Sequence, residues 1–222
     1  IEQWALPKDS IIVAALANPR PQKRLERLPA ILRLCERKLC SNGDSRPIHL
    51  LIAGEPSQGN KLAEHSLRQI HEQVSQWSFE TQIHWLGCIE TTRDLLAGID
   101  LLVSPSDFEG LSLAHLEALC CGVRVVANDV GGTSEIGARC DGIHLVAAQS
   151  DDEQFATVLS EAIGVLSVPL ETTHAALKRD FSSIRMRDAY ERHYQRLANR
   201  PDPGHAKESC ERRKSIRRKP AG

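Results

Sequence analysis

The sequence predicts an α/β protein, a doubly wound parallel sheet of the Rossmann-like kind with helices on both faces. Three observations lead there. Short apolar runs alternate along the chain with segments of helical period. Several runs, residues 99–103 and 123–127 among them, are almost continuously apolar, as strands covered on both faces are. Turn residues punctuate the runs, with Gly54 and Gly87 after two of them and Asn42-Gly43-Asp44 ahead of another. A chain of 222 residues can hold one such core and a tail.

In order, residues 10–17 are the first predicted strand, and Pro19 and Pro21 break regular structure after it. Apolar residues at 25, 28, 31, 32, 35 and 39 share one helical face, so residues 25–40 read as a helix. A strand over 49–53, a polar helix over 61–76, a strand over 81–86, a short helix over 92–97 and a strand over 100–104 follow. Residues 111–121 form a helix that Gly122 closes, and 123–127 a fifth strand. A weaker helix and strand reach residue 147. Ser150-Asp151-Asp152 opens a helix over 152–166, and 172–196 is mostly helical. From 201 to 222 the chain is basic and poor in apolar residues, with seven Lys/Arg against two Glu between 207 and 219. It reads as a disordered tail after a single domain of residues 1–200.

Composition narrows the function classes. A net charge of −1 gives no general attraction to nucleic acid or anionic lipid, and the basic tail reads as solvated rather than as a binding arm. No apolar run approaches the roughly 20 residues of a membrane span, and no signal-peptide pattern follows Ile1. Cysteines at 35, 40, 88, 120, 121, 140 and 210 form no Cys-x-x-Cys pair, and most sit in apolar runs. They read as reduced, buried thiols of a cytosolic protein. No His-Glu-x-x-His, Cys/His cluster, Walker A or Gly-x-Gly-x-x-Gly pattern is present, so no metal or redox cofactor is expected.

The chemistry concentrates in Ser104-Pro-Ser-Asp-Phe-Glu-Gly-Leu-Ser-Leu-Ala-His-Leu-Glu117. In an open parallel sheet ligands bind beyond the carboxyl ends of the strands, and this loop leaves one such end. Gly110 allows close backbone approach, and the amides of Leu111, Ser112 and Leu113 lie at a helix start, an anion site suited to a diphosphate. The plainer alternative is a strand-to-helix turn with Glu109 and Ser112 as capping groups. Glu117 has apolar neighbours at Leu113, Ala114 and Cys121, so its carboxylate calls for a donor, either a ligand diol or an internal Arg or Lys. His115 reads as a packing or solvated residue. Gly131-Gly132 reads equally as a ligand contact or a turn.

Ser104-Pro-Ser106, Glu109-Gly110, Leu116-Glu117-Ala118, Gly122, Val125-Val126 and Gly131-Gly132 with Glu135-Ile136 resemble the C-terminal domain of retaining GT-B glycosyltransferases of family 4, which carry a Glu-x7-Glu pattern. The resemblance runs from residue 11 to 142 and more weakly to Tyr194, where Ala189-Tyr190-Glu-Arg-His-Tyr194 is similar to the family's closing helix. It implies that Glu109 touches the donor sugar near its anomeric carbon as the catalytic residue. Glu117 would bind the nucleotide ribose, and Gly110, Leu111 and Ser112 would hold sugar and diphosphate. Lys23 matches the family's diphosphate-binding lysine. The Gly-Arg expected at the first strand's end is Ala14-Ala15 here, and Arg20 is the candidate to replace it. Leu86-Gly87-Cys88 is similar to the segment lining the base pocket.

The resemblance further implies sugar transfer from a nucleotide sugar with retention of configuration. No cofactor beyond that donor would be needed. The acceptor could be a glycan, a lipid-linked sugar or a small molecule. An N-terminal half that this chain lacks would complete the site, so the chain alone would be inactive. The place of work would be the cytoplasm or the cytosolic face of a membrane, and no nucleic acid is expected as partner. The alternatives are a nucleotide-sugar epimerase or hydrolase, or a non-catalytic nucleotide-binding module, of the same fold.

Overall fold

Strands that are apolar on both faces need cover on both faces, and the helices supply it. The computed structural model describes residues 6–56, 59–76 and 82–199. Among these, six strands form one parallel sheet: β1 (Ile11–Leu16), β2 (Ile48–Ala53), β3 (Ile83–Gly87), β4 (Leu101–Ser104), β5 (Arg124–Asn128) and β6 (Ile143–Val146). Their spatial order is β3-β2-β1-β4-β5-β6, the doubly wound arrangement that the sequence predicts. β1 pairs with β2 along its whole length, from Ile11 opposite Ile48 to Leu16 opposite Ala53. On its other side it pairs with β4 through Val13–Leu101 and Ala14–Leu102. From β1 the chain winds one way across the sheet, and from β4 the other. The connections from those two strands run to opposite sides of the sheet, which makes their carboxyl ends the topological switch point where such folds bind ligands.

Helices α1 (Leu28–Ser41) and α6 (Asp152–Gly164) cover one face. Ile31, Leu32 and Cys35 of α1 and Phe155, Leu159 and Ile163 of α6 share a core with Ile11, Val13, Leu50, Ile52, Leu101 and Val103. The alternate strand residues Ala14, Leu51, Leu102 and Val125 are equally buried on the opposite face. Buried residues from α3 (Thr92–Leu96), α4 (Leu113–Cys120) and α5 (Thr133–Gly137) include Leu96, Leu119 and Ile136. α2 (Lys61–Gln76) buries Ala63, Ser66 and Ile70 and leaves the rest of its polar surface outward. A capping box starts α6, with Asp151 Oδ1 accepting from the Gln154 amide (2.8 Å) and Gln154 Oε1 from the Asp151 amide (3.1 Å). Arg27 ties that start to α1 through Asp152 (2.7 Å) and the Ser150 carbonyl (2.8 Å).

Four departures from the predicted elements have local causes. The helix predicted over 25–40 opens with a 3-10 turn, Leu25–Arg27, and becomes α-helical at Leu28, with Pro29 in the first turn where its missing N–H costs nothing. The helix predicted over 111–121 begins at Leu113, because Ser112 holds the extended backbone of an N-cap. Its end is as expected: Gly122 (φ +77°) donates to Leu119 O (3.1 Å) and Val123 to Ala118 O (2.9 Å), a Schellman closure that drops the chain straight into β5. The segment over 172–196 divides into α7 (Thr173–Asp180) and α8 (Ser183–Ala198), where Ser182 Oγ accepts from the Arg185 amide (3.3 Å). Finally, of the described cysteines only Cys35 and Cys140 are buried. Cys40, Cys88, Cys120 and Cys121 are exposed: Cys40, Cys120 and Cys121 at the ends of α1 and α4, and Cys88 just after β3.

Contacts divide the chain into Ile1–Leu177, which holds the sheet, and Lys178–Gly222. In the second unit α8 stacks Tyr190 on Tyr194 at its exposed surface, ring centroids 6.2 Å apart. The predicted tail over 201–222 lies outside the described residues. No described helix is long and apolar enough to cross a membrane. Phe155 is fully buried where α6 meets the sheet, so Phe155→Ala is expected to lower unfolding stability by about 3–5 kcal/mol, measured by urea denaturation.

Candidate functional site

Two loops meet at the switch point. The first leaves β1. That strand runs through Ala14 and Ala15, which stand inside the sheet opposite Leu51 and Ile52, and ends at Leu16. Ala14 and Ala15 thus lie in the last half of the strand, buried, and bring no charged side chain to its carboxyl end. Pro21–Lys23 then form a 3-10 turn, the Lys23 amide donating to Arg20 O (2.8 Å). Arg24 takes the left-handed conformation (φ +50°) and clamps the turn: its guanidinium reaches Glu26 (2.7 Å) and Asp107 (2.8 Å). Asp107 and then Glu26 raise its pKa further above the ordinary arginine value.

The second loop joins β4 to α4 and is held from both sides. The Asp107 amide donates to Gln22 O (2.9 Å), which stitches it to the first loop. Asn128, at the end of β5, donates from Nδ2 to Pro105 O (3.0 Å) and Ser106 O (3.1 Å). The Gly132 amide donates to Gly110 O (2.6 Å). Gly131 (φ +55°) lies so close that a Cβ there would sit 1.7 Å from Glu109 O. The Gly131-Gly132 pair is thus a turn packed under the loop, and only glycine permits that approach.

Glu109 sits at the mouth of this framework. Its Oε1 accepts from Lys23 Nζ at 2.7 Å, with the Lys23 side chain 24% and the Glu109 side chain 9% exposed. Glu109 does not cap α4, and the Ser112 hydroxyl makes no capping bond either, so the capping roles of the plain-turn reading are not realised. The first-turn amides of α4 belong to Leu113, Ala114 and His115, two residues later than predicted. Gly110 and Leu111 precede them, exposed, and Ser112 is half-buried. Phe108 and Leu113, each 69% exposed, frame the loop with apolar surface that sequence reasoning did not single out.

Glu117 lies on the exposed face of α4. The expectation that apolar neighbours crowd it is corrected: the buried face of α4 is His115, Ala118 and Leu119, so Leu113 and Cys121 share the solvent side with Glu117. No Arg or Lys pairs with it among the described residues. Arg20 is exposed on the Lys23 turn and likewise makes no ion pair there. His115 packs, as one sequence reading has it, and is 1% exposed with neither ring nitrogen hydrogen-bonded. Burial holds its pKa down to about 4, with Glu109 pulling it up and Lys23 pushing it down. Arg24, Asp107 and Asn128 escaped sequence reasoning. The one available signal was Asn128, a polar residue ending an apolar strand.

A separate hollow of about 280 Å³ lies at the opposite ends of β4 and β5, lined by Asp100, Arg124, Val168 and His174 among others. Its polar groups serve the fold: Arg124 donates to Val168 O (2.5 Å), His174 meets Cys120 O (2.8 Å), and Asp100 accepts from the Ile12 amide (2.7 Å). The switch point, at Lys23 and Glu109, is where uncommitted chemistry collects.

Two outcomes are expected. His115 binds a proton less readily in the folded chain than in the unfolded one, whose ordinary value is 6.5. The stabilisation is complete above about pH 6.5 and is lost as the pH falls toward about 4, by on the order of 3 kcal/mol. Urea denaturation across that range should show a steeper acid loss for the unmodified chain than for His115→Leu. Gly131→Ala should displace the 105–110 loop and lower stability by more than about 1 kcal/mol in the same assay.

The profile of the family described as Glycosyl transferases group 1 matches residues 8–164. The α-maltose-1-phosphate synthase of Mycobacterium tuberculosis is 37% identical over 92 residues, covering 39% of this chain and 23% of that protein. The sucrose synthase of Melioribacter roseus is 26% identical over 192 residues, covering 78% of this chain and 24% of that one. The chain thus spans about a quarter of the length of these relatives. Among solved structures, sucrose-phosphate synthase from Thermosynechococcus elongatus superposes with a TM-score of 0.70 at 22% identity, over 88% of this chain and 47% of that one. HepE of Anabaena, solved with UDP-glucose, superposes with a TM-score of 0.55 at 20% identity, over 77% and 47%. These structures share the Rossmann-like fold of GT-B enzymes. With the family profile spanning the sheet, both loops at its carboxyl edge and all of α6, the chain belongs to the group 1 glycosyl transferases.

Proposed function

We propose that this chain is the donor-binding, C-terminal half of a retaining GT-B glycosyltransferase of family 4, taking a sugar from a nucleoside diphosphate. The observation that carries the reading is the meeting of Lys23 and Glu109 across the switch point, beside the start of α4. Membership of the group 1 family supports it, as does the UDP-glucose held by the similar structure of HepE.

Breaking the bond between an anomeric carbon and a diphosphate builds positive charge on the sugar and negative charge on the leaving group. A cation and helix-start amides beside the leaving oxygens stabilise the second. A carboxylate beside the ring stabilises the first. In this reading Lys23 and the amides of Leu113 and Ala114 hold the diphosphate. Gly110, Leu111 and Ser112 line the sugar subsite, and Glu109 acts at the anomeric carbon. The exposed carboxylate of Glu117 accepts from the ribose diol, and Arg20 adds a second cation to the phosphates. An N-terminal half completes the cleft and presents the acceptor.

Isothermal calorimetry with nucleoside diphosphates and their sugars tests this. Binding in the millimolar range or tighter is expected for at least one of them. Glu117→Ala should weaken it about tenfold, or about 1.4 kcal/mol. Lys23→Ala should weaken diphosphates while leaving the bare nucleoside unaffected. Binding that neither change alters would overturn the assignment.

A further inference from the structure

Arg24 holds a backbone conformation that its residue type disfavours. Among the described residues only Arg24 (φ +50°) and Gln149 (φ +66°) adopt the left-handed region without being glycine. A Cβ there crowds the following carbonyl, whereas glycine takes the same conformation without that cost. The bend itself is needed. Arg24 stands between the 3-10 turns Pro21–Lys23 and Leu25–Arg27, its amide donating to Pro21 O (3.1 Å) and its carbonyl accepting from the Arg27 amide (3.0 Å). It lets Lys23 reach Glu109 while Leu25, two residues on, is buried in the core. The backbone alone thus favours glycine at residue 24, and the reason for an arginine lies in its side chain.

That side chain joins the two loops. Its Nη1 donates to Asp107 Oδ2 (2.8 Å) and its Nε to Glu26 Oε1 (2.7 Å). The Asp107 amide donates in turn to Gln22 O (2.9 Å). Residues 22 and 24 therefore both hold Asp107, and Lys23 between them meets Glu109, two residues past Asp107, at 2.7 Å. With side chains 39% and 52% exposed, the Arg24–Asp107 pair is one that solvent screens, and it contributes little to stability. What it changes is placement.

We propose that Arg24 is a positioning residue, which fixes the Lys23 turn against the Glu109 loop and keeps the cation and the carboxylate in register. Backbone ease at residue 24 is given up for that register. The proposal rests on the donor-site reading for the ligand that the register serves, a nucleoside diphosphate or its sugar. A cation already held in place loses less freedom when the anion binds, so affinity rises without a new contact.

Variants of the full chain test it, with calorimetry for UDP-glucose and inorganic pyrophosphate and urea denaturation for stability. In Arg24→Gly the relief of the left-handed conformation outweighs or balances glycine's greater freedom in the unfolded chain. Its denaturation midpoint should therefore hold or rise, while binding weakens at least about fivefold. Asp107→Ala separates the clamp from plain charge. Removing a negative charge near the site would by itself tighten an anion, whereas losing the clamp should weaken it by a similar factor. Both changes together should weaken binding no more than either one. Binding unaltered by Arg24→Gly, binding tightened by Asp107→Ala, or a midpoint that Arg24→Gly lowers overturns the proposal. Failure of both ligands to bind the unmodified chain overturns the donor-site reading instead. The clamp is then judged by nitrogen-15 NMR of the lysine ammonium groups, with Lys23 assigned by its absence in Lys23→Met. A Lys23 ammonium less ordered in Arg24→Gly upholds the clamp, and unchanged order overturns it.

Discussion

Lys23 and Glu109 stand 86 residues apart in sequence and 2.7 Å apart in space, and the carboxyl edge of the sheet is organised around that contact. It can form only where β1 and β4 are neighbours. It can stay open to a ligand only because the chain winds away from those two strands in opposite directions. The pair is partly buried, with the Glu109 side chain 9% exposed. Its geometry is set by the hydrogen bond from the Asp107 amide to Gln22 O, the Arg24 side-chain clamp on Asp107 and the Asn128 side-chain bonds to Pro105 O and Ser106 O. Two other stretches of chain thus hold one short loop in place.

The same framework explains why glycines stand behind the loop. Gly131-Gly132 lets the segment after β5 approach the Glu109-Gly110 backbone more closely than any side chain would allow. The loop is therefore tight on its inner side, while Gly110, Leu111 and Phe108 are exposed on it. Burial at His115 and exposure at Glu117, two residues on, follow from the period of one short helix: positions 115, 118 and 119 face the sheet and position 117 cannot. A single turn of α4 thereby separates a buried histidine from an exposed carboxylate.

The alternation of apolar runs with helical segments was enough to read the sheet, its parallel sense and its helix cover, because a strand buried on both faces has nowhere to place polar side chains. The order of Ser104-Pro-Ser106, Glu109-Gly110 and Glu117 was enough to point to the loop after β4, since turn glycines and helix starts leave local marks. What sequence could not supply was the start of α4, at Leu113 rather than at residue 111. Nor could it supply the exposure of Cys120 and Cys121 at the end of α4.

By itself, then, the sequence determined the class of fold and singled out the loop after β4 with the residue types available there, all of which are written in local pattern. Tertiary structure alone decided that Lys23 answers Glu109, that Asn128 and Arg24 hold the loop, and that His115 lies buried with both nitrogens unpartnered. Those facts depend on strand order and on which helix face meets the sheet. Neither is encoded in any short stretch of chain, because each is a contact between segments that the sequence keeps far apart.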